Sequence, residues 1–124
     1  MTSTSFELHV TADVVRAGHV NNVKYLEFLD MAREPWYHYF RSVGIIPFIA
    51  NLNASYKREA FLDDRLFIET MLVGVGNSSF VLKHTITNQH QELVLEAEAT
   101  LVAMCLETRE KIRVPDEMRE QVQR

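Results

Sequence analysis

Gly18-His19-Val20-Asn21-Asn22-Val23-Lys24-Tyr25 decides how this chain is read, because the hydrophobic period changes across it. Before it, Phe6, Leu8, Val10, Ala12 and Val14 fall on one face, and Glu7, His9, Thr11 and Asp13 on the other. A period of two marks a half-buried strand, here spanning Phe6 to Val14. After it, from Asn21 or Asn22 to about Val43, the period is helical. Val23, Leu26, Leu29, Trp36, Phe40 and Val43 form one row, and Tyr25, Phe28, Ala32 and Tyr39 a second. Only Lys24, Glu27, Glu34, His38 and Arg41 make a narrow polar stripe, so the helix should be wrapped by other structure. Asparagine suits the cap that starts it. Pro35 removes an internal hydrogen bond and predicts a kink or a second helical segment, and Gly44 is a suitable stop.

The remainder reads as strands. Candidates are 51–58, 66–75, 79–87 and the longer 93–106, with a short strand over 111–114. Asp63-Asp64, Gly74 to Asn77 and Asn88 to Gln91 supply the turns, and Pro115 suits the first turn of a small terminal helix. Consecutive strands joined by short turns imply an antiparallel sheet. Physical pattern alone therefore gives an α+β chain with one central helix, a single domain over residues 1–124.

Composition narrows the function. The net charge of −4 is mild and both signs are scattered, so no basic stripe points to nucleic acid. No apolar run approaches the roughly 20 residues needed to cross a bilayer. The polar start, Met1-Thr2-Ser3-Thr4-Ser5, does not read as a secretory leader, and the expectation is a soluble cytoplasmic protein. Cys105 is the single cysteine; it excludes an intrachain disulfide, and its run of small apolar neighbours suggests a buried, inert thiol. The five histidines lack metal-like spacing, so no metal is expected.

A polar turn that opens a helix leaves backbone N–H groups aimed outward, where they can hold a carbonyl oxygen as negative charge develops on it. The G-H-V-N-N-x-x-Y pattern of Gly18 to Tyr25 resembles the hotdog-fold acyl-CoA thioesterases of the 4-hydroxybenzoyl-CoA type. It also resembles the H-V-N-N-V-K-Y stretch of acyl-ACP thioesterases. Tyr56-Lys57-Arg58-Glu59, leading to Asp63-Asp64, is similar to the family's Y-x-R-P-x-x-x-G-D stretch, with Glu59 for Pro and Asp63 for Gly. Gly76 to Phe80 and Val114-Pro115 add weaker likenesses. The resemblance implies a hotdog fold, a curved antiparallel sheet wrapped around one long central helix. It also implies hydrolysis of an acyl-CoA or acyl-ACP thioester to free acid and thiol.

What the resemblance implies for the site is uneven. The N–H groups near Gly18, Val20 and Asn21 would hold the carbonyl oxygen, Asn22 belongs to the same turn, Tyr25 would line the pocket, and Ser79 could touch substrate. Many relatives carry a catalytic aspartate three residues before the glycine; here that position is Val15, which can neither attack nor take a proton. Asp13, two residues earlier, would share its face if the strand continued. His19 matches a catalytic histidine of acyl-ACP thioesterases, but Val15 and Ala17 replace its Asp and Asn helpers. Asp13 and His19 are therefore the candidate bases. Glu27 reads as solvated, and Asp30 with Arg33 as a pair that fixes the helix. No cofactor is expected beyond coenzyme A as part of the substrate. The family implies a homo-oligomer, a dimer or tetramer, with sites at the subunit interface and a place in lipid metabolism. The alternative is a hotdog module that binds acyl thioesters or a partner protein without hydrolysis, for which Val15 is the motive.

Overall fold

The structure, a computed structural model, describes residues 3–122. Strand β1 spans Ser3–His9 and stops before the alternation does. Ala12–Val14 instead make one turn of 3-10 helix. The Thr11 hydroxyl donates to the Asp13 carboxylate, and Val14 N–H donates to the Thr11 carbonyl at 3.3 Å. Short polar side chains bonded this way compete with a strand ladder. The expected strand through Val14 is thus corrected: the residues keep the spacing but lose the ladder.

Next, β2 (Val15–Arg16) and β3 (His19–Val20) pair as a tight hairpin. Its corner, Ala17 and Gly18, has φ of 54° and 87°. Positive φ at both central residues belongs to a type I′ turn, whose twist suits a hairpin. The glycine of the opening motif therefore serves the turn.

The helical stretch is two segments, α1 (Asn22–Ala32) and α2 (Glu34–Ser42), broken at Arg33. The Asn21 side chain accepts from Val23 N–H at 3.4 Å, and Pro35 sits in the first turn of α2, where a missing N–H costs nothing. Helix α1 buries Tyr25, Phe28, Leu29 and Ala32; α2 buries Trp36 and Phe40. Wrapping is one-sided, against expectation: Val23 and Met31 are 55% and 50% exposed.

Four long strands follow: β4 (Ile45–Tyr56), β5 (Arg65–Val75), β6 (Ser79–Thr87) and β7 (Leu93–Cys105). The sheet is antiparallel with order β1-β5-β6-β7-β4. Strand β4 begins at Ile45 rather than Asn51 and ends at Tyr56 rather than Arg58. Its proline, Pro47, obscures the strand in sequence but is tolerated at a sheet edge. The expected strand over 111–114 reduces to an isolated bridge between Met104 and Lys111. Pro115 precedes α3 (Asp116–Arg119).

One face of the sheet packs on the helices. Leu66, Ile68 and Leu72 of β5 and Phe80, Leu82 and Ile86 of β6 point inward, while β7 contributes the small Ala97, Ala99 and Ala103. Phe40 of α2 is fully buried against this face, and Phe40→Ala should cost about 3–5 kcal/mol through the cavity it leaves. The core divides into one cluster under α1 and another under α2. Where the helices break, a buried polar group joins them to the sheet. Arg33 Nη1 reaches His84 Nε2 at 3.1 Å, its Nε donates to the Tyr37 hydroxyl at 2.8 Å, and Asp30 lies 3.7 Å away. His84 Nδ1 meets Thr70 Oγ1 at 2.9 Å. The expected Asp30–Arg33 pair is present, and Arg33 itself is 3% exposed. Antiparallel sheet and bent central helix together make the hotdog architecture.

Candidate active site

The hairpin, the start of α1 and the end of β4 enclose a cleft of ≈ 640 Å³. Ala60 locks these pieces together. Val20 N–H donates to the Ala60 carbonyl at 2.9 Å, and Ala60 N–H donates to the Tyr25 hydroxyl at 3.0 Å. Burial pushes the Tyr25 phenol above its ordinary pKa, so it stays a neutral hydroxyl in the cleft wall. Its ring meets Tyr56 edge-on at 5.5 Å, and the Tyr56 hydroxyl donates to the Asn22 carbonyl at 3.3 Å.

These bonds revise the expected carbonyl-binding donors. Val20 N–H is taken by Ala60, and Asn21 N–H donates to the Val14 carbonyl at 3.1 Å. Val23 N–H goes to the Asn21 side chain and Lys24 N–H to the Asn21 carbonyl at 2.9 Å. In the first turn of α1 this leaves the Asn22 N–H without an acceptor among the described residues, and Asn22 lines the cleft. A helix start adds its positive dipole end at the same place. Val20 and Asn21 thus act by holding the loop in shape, although both also contribute to the cleft wall.

The acid–base candidates are placed differently from one another. His19 lines the cleft, its side chain 43% exposed. Asp13 lies on the 3-10 turn, outside the cleft lining, fully exposed. The Thr11 hydroxyl and then its own backbone N–H hold its carboxyl below the usual range. Ser79 opens β6, beside the Gly76–Ser79 turn, and does not line the cleft. Cys105 is only partly buried at the end of β7, and hydrogen bonds from Thr108 and Glu107 hold its thiol below its ordinary pKa. Glu27 is exposed and pairs with Lys24 at 3.1 Å.

A carboxylate absent from the sequence-derived set does reach the cleft. Glu59 Oε1 lies 3.9 Å from His19 Nδ1. That is ion-pair reach and longer than a hydrogen bond, a distance that catalytic pairs shorten when substrate binds. The sequence carried its signal as a departure, Glu59 standing where the similar stretch has proline. Arg16, Lys57 and Arg58 line the same cleft, with Arg58 held by Glu92 at 3.3 Å.

Comparison with known proteins identifies the family and the fold. A family model described as the thioesterase-like superfamily matches residues 10–122. The long-chain acyl-CoA thioesterase FadM of Escherichia coli (strain K12) is 32% identical over 114 residues, covering 85% of each chain. The crystal structure of YbaW, a probable thioesterase from Escherichia coli, superposes with a TM-score of 0.82 at 29% identity, covering 98% of this chain and 96% of that one. The 4-hydroxybenzoyl CoA thioesterase from Pseudomonas sp. strain CBS-3 gives 0.80 at 25% identity, covering 98% and 99%. On its sequence, its sheet and its helix start, this chain is a member of the thioesterase-like superfamily.

Proposed function

We propose that this protein hydrolyses an acyl-CoA thioester in the cleft between the β2–β3 hairpin and β4. The observation that carries the reading is the meeting, in one cleft, of an open helix-start N–H at Asn22 with the His19–Glu59 pair. The thioester carbonyl oxygen would accept from Asn22 N–H, which polarises the carbon. His19 takes a proton from water as the water oxygen bonds to that carbon, and Glu59 offsets the charge on the imidazolium. The oxyanion then collapses, the C–S bond breaks, and the proton passes from His19 to the departing sulfur. Acid and thiol leave; coenzyme A is the leaving group and the chemistry calls for no further cofactor.

This assignment gives the base to His19 in preference to Asp13, and it accounts for Val15 at the usual aspartate position. Val15 is partly buried and packs against the α1 cluster, so the carboxylate role moves to Glu59 across the cleft. The FadM relative favours coenzyme A over carrier protein as the handle. A long-chain acyl-CoA substrate would place the reaction in lipid metabolism, and the single cysteine suits a reducing compartment such as the cytoplasm. We infer a homo-oligomer, with the open edge of β4 as the first seam.

The test is thiol release from short, long and aromatic acyl-CoAs. His19→Ala and Glu59→Gln should each lower turnover by about a hundredfold or more, and Asp13→Asn should leave it within about twofold. Intact thioester in every reaction, together with thermal stabilisation by acyl-CoA, would instead identify a binding module.

A further inference from the structure

Tyr25 and Tyr56 both line the candidate cleft, and their hydroxyl groups are engaged in opposite senses. The Tyr56 hydroxyl donates, giving its proton to the Asn22 carbonyl at 3.3 Å. The Tyr25 hydroxyl accepts, from Ala60 N–H at 3.0 Å. A phenol oxygen can accept and donate at once, and no acceptor for the Tyr25 proton stands among the described residues. We propose that the Tyr25 hydroxyl is a second donor to the thioester carbonyl oxygen, so that Tyr25 O–H and Asn22 N–H hold the oxyanion between them. This role deepens the function proposed above and rests on it.

Placement supports the pairing. Tyr25 follows Asn22 by three residues on α1, so the two share a face of the helix. A long helical side chain leans back over the turn before it, which carries the Tyr25 ring toward the helix start. There Tyr56 touches both residues: its ring meets Tyr25 edge-on at 5.5 Å, and its hydroxyl bonds the Asn22 carbonyl. Tyr25 and Asn22 line the same cleft as His19.

The phenol is also held still. Tyr25 is 4% exposed, its ring stands edge-on to Phe28 at 6.1 Å, and Ala60 N–H occupies one side of its oxygen. The Ala60 carbonyl is anchored in turn by Val20 N–H. A donor fixed before the reaction needs no reorganisation as charge develops. The Asn22 side-chain amide reaches the same cleft from an exposed position, so it would have to give up rotamer freedom to donate. Burial raises the Tyr25 pKa, which keeps the proton on the phenol while it is shared. The bond strengthens as the carbonyl oxygen gains charge, so it acts mainly on the transition state.

Tyr25→Phe keeps the ring and removes the proton. It should lower kcat about a hundredfold and raise KM only about fivefold. The same change strips Ala60 N–H of its acceptor, so binding is measured to separate the two roles. One acyl chain is mounted on coenzyme A in two unreactive forms: a ketone with a methylene between carbonyl and sulfur, and a thioether with no oxygen. Tyr25→Phe should bind the ketone about fivefold more weakly than wild type does, and the thioether within about twofold. Equal weakening of both analogues, or of neither, would overturn the proposal. Should Tyr25→Phe fail to fold, a ring-difluorinated tyrosine at position 25 takes its place, because fluorine makes the hydroxyl a stronger donor and a weaker acceptor. At about pH 6, where the buried phenol stays protonated, the ketone should then bind at least about twofold more tightly and the thioether equally. An unchanged ketone affinity overturns the role. Wild-type protein that cleaves no thioester defeats the function proposed above separately, and the two analogues still decide whether Tyr25 holds the oxygen. Wild-type protein that fails to bind the ketone overturns both.

Discussion

Val15, which the resemblance sets at the usual aspartate position, takes a packing role in this fold. Val15 pairs with Val20, the side chains of a cross-strand pair share a face, and both pack on the cluster under α1. Arg16 and His19, the other pair of the same hairpin, line the cleft. Val15→Asp therefore sets a carboxylate against apolar side chains. It should lower stability by about 1–3 kcal/mol without raising turnover, since His19 and Glu59 already occupy the cleft. Chemical denaturation and acyl-CoA hydrolysis of the variant check both halves, and a clear gain in turnover would return the base to position 15. The residues best legible in sequence were those with one local job. An asparagine cap at Asn21 or Asn22 was legible from local chemistry, and the structure gives it to Asn21, while Gly18, expected among the carbonyl-holding N–H groups, forms the hairpin corner. Glu59 was noticed only as a mismatch, because its partner His19 is distant in sequence and their meeting depends on where β4 delivers the chain.

Among the elements, the α1–α2 break is the part most exposed to acid. His84 is fully buried on β6 and faces Arg33 from the helix junction and Thr70 from β5. Burial, and then the nearby guanidinium, push its pKa from 6.5 down to about 3. The folded protein keeps the imidazole neutral, whereas the unfolded chain binds a proton below about pH 6.5. The unfolded state thus holds more protons between those two values, and stability falls as pH drops through that window. The full effect is on the order of 5 kcal/mol, all of it lost by about pH 3. His84→Gln should be less stable than wild type at pH 7, where a buried hydrogen-bond network is disturbed. Its stability should then change less with pH between 6.5 and 3. Urea midpoints of the two proteins across that range measure the difference in slope, and parallel curves would show that His84 is not the group responsible.

At the scale of the whole molecule, the outer edge of β4 is unpaired among the described residues. Pairing it removes an uncharged row of open N–H and C=O groups and covers Phe48 and Ile49. Phe48→Lys places charge on that edge at a side chain already 60% exposed, so the fold should lose less than about 1 kcal/mol. The homo-oligomer proposed above should dissociate toward monomer in sedimentation, with melting temperature becoming less dependent on protein concentration. An unchanged sedimentation coefficient would place the seam elsewhere.

Sequence alone established the α+β class, the bent central helix, the antiparallel sheet and the thioesterase likeness, because each rests on local signals: period, caps, turns and a contiguous motif. The end of β1, the early start of β4 and the partners of the helix-start N–H groups were decided by tertiary structure. Val20 and Asn21 N–H groups are consumed by Ala60 and Val14, and no spacing rule records such a bond. The same holds for the His19–Glu59 pair and for the Arg33–His84 contact between helix junction and sheet. A period reports which face a residue takes. Hydrogen-bond partners and ion pairs depend on which distant backbone arrives opposite that face, and only the packing of sheet against helix determines that.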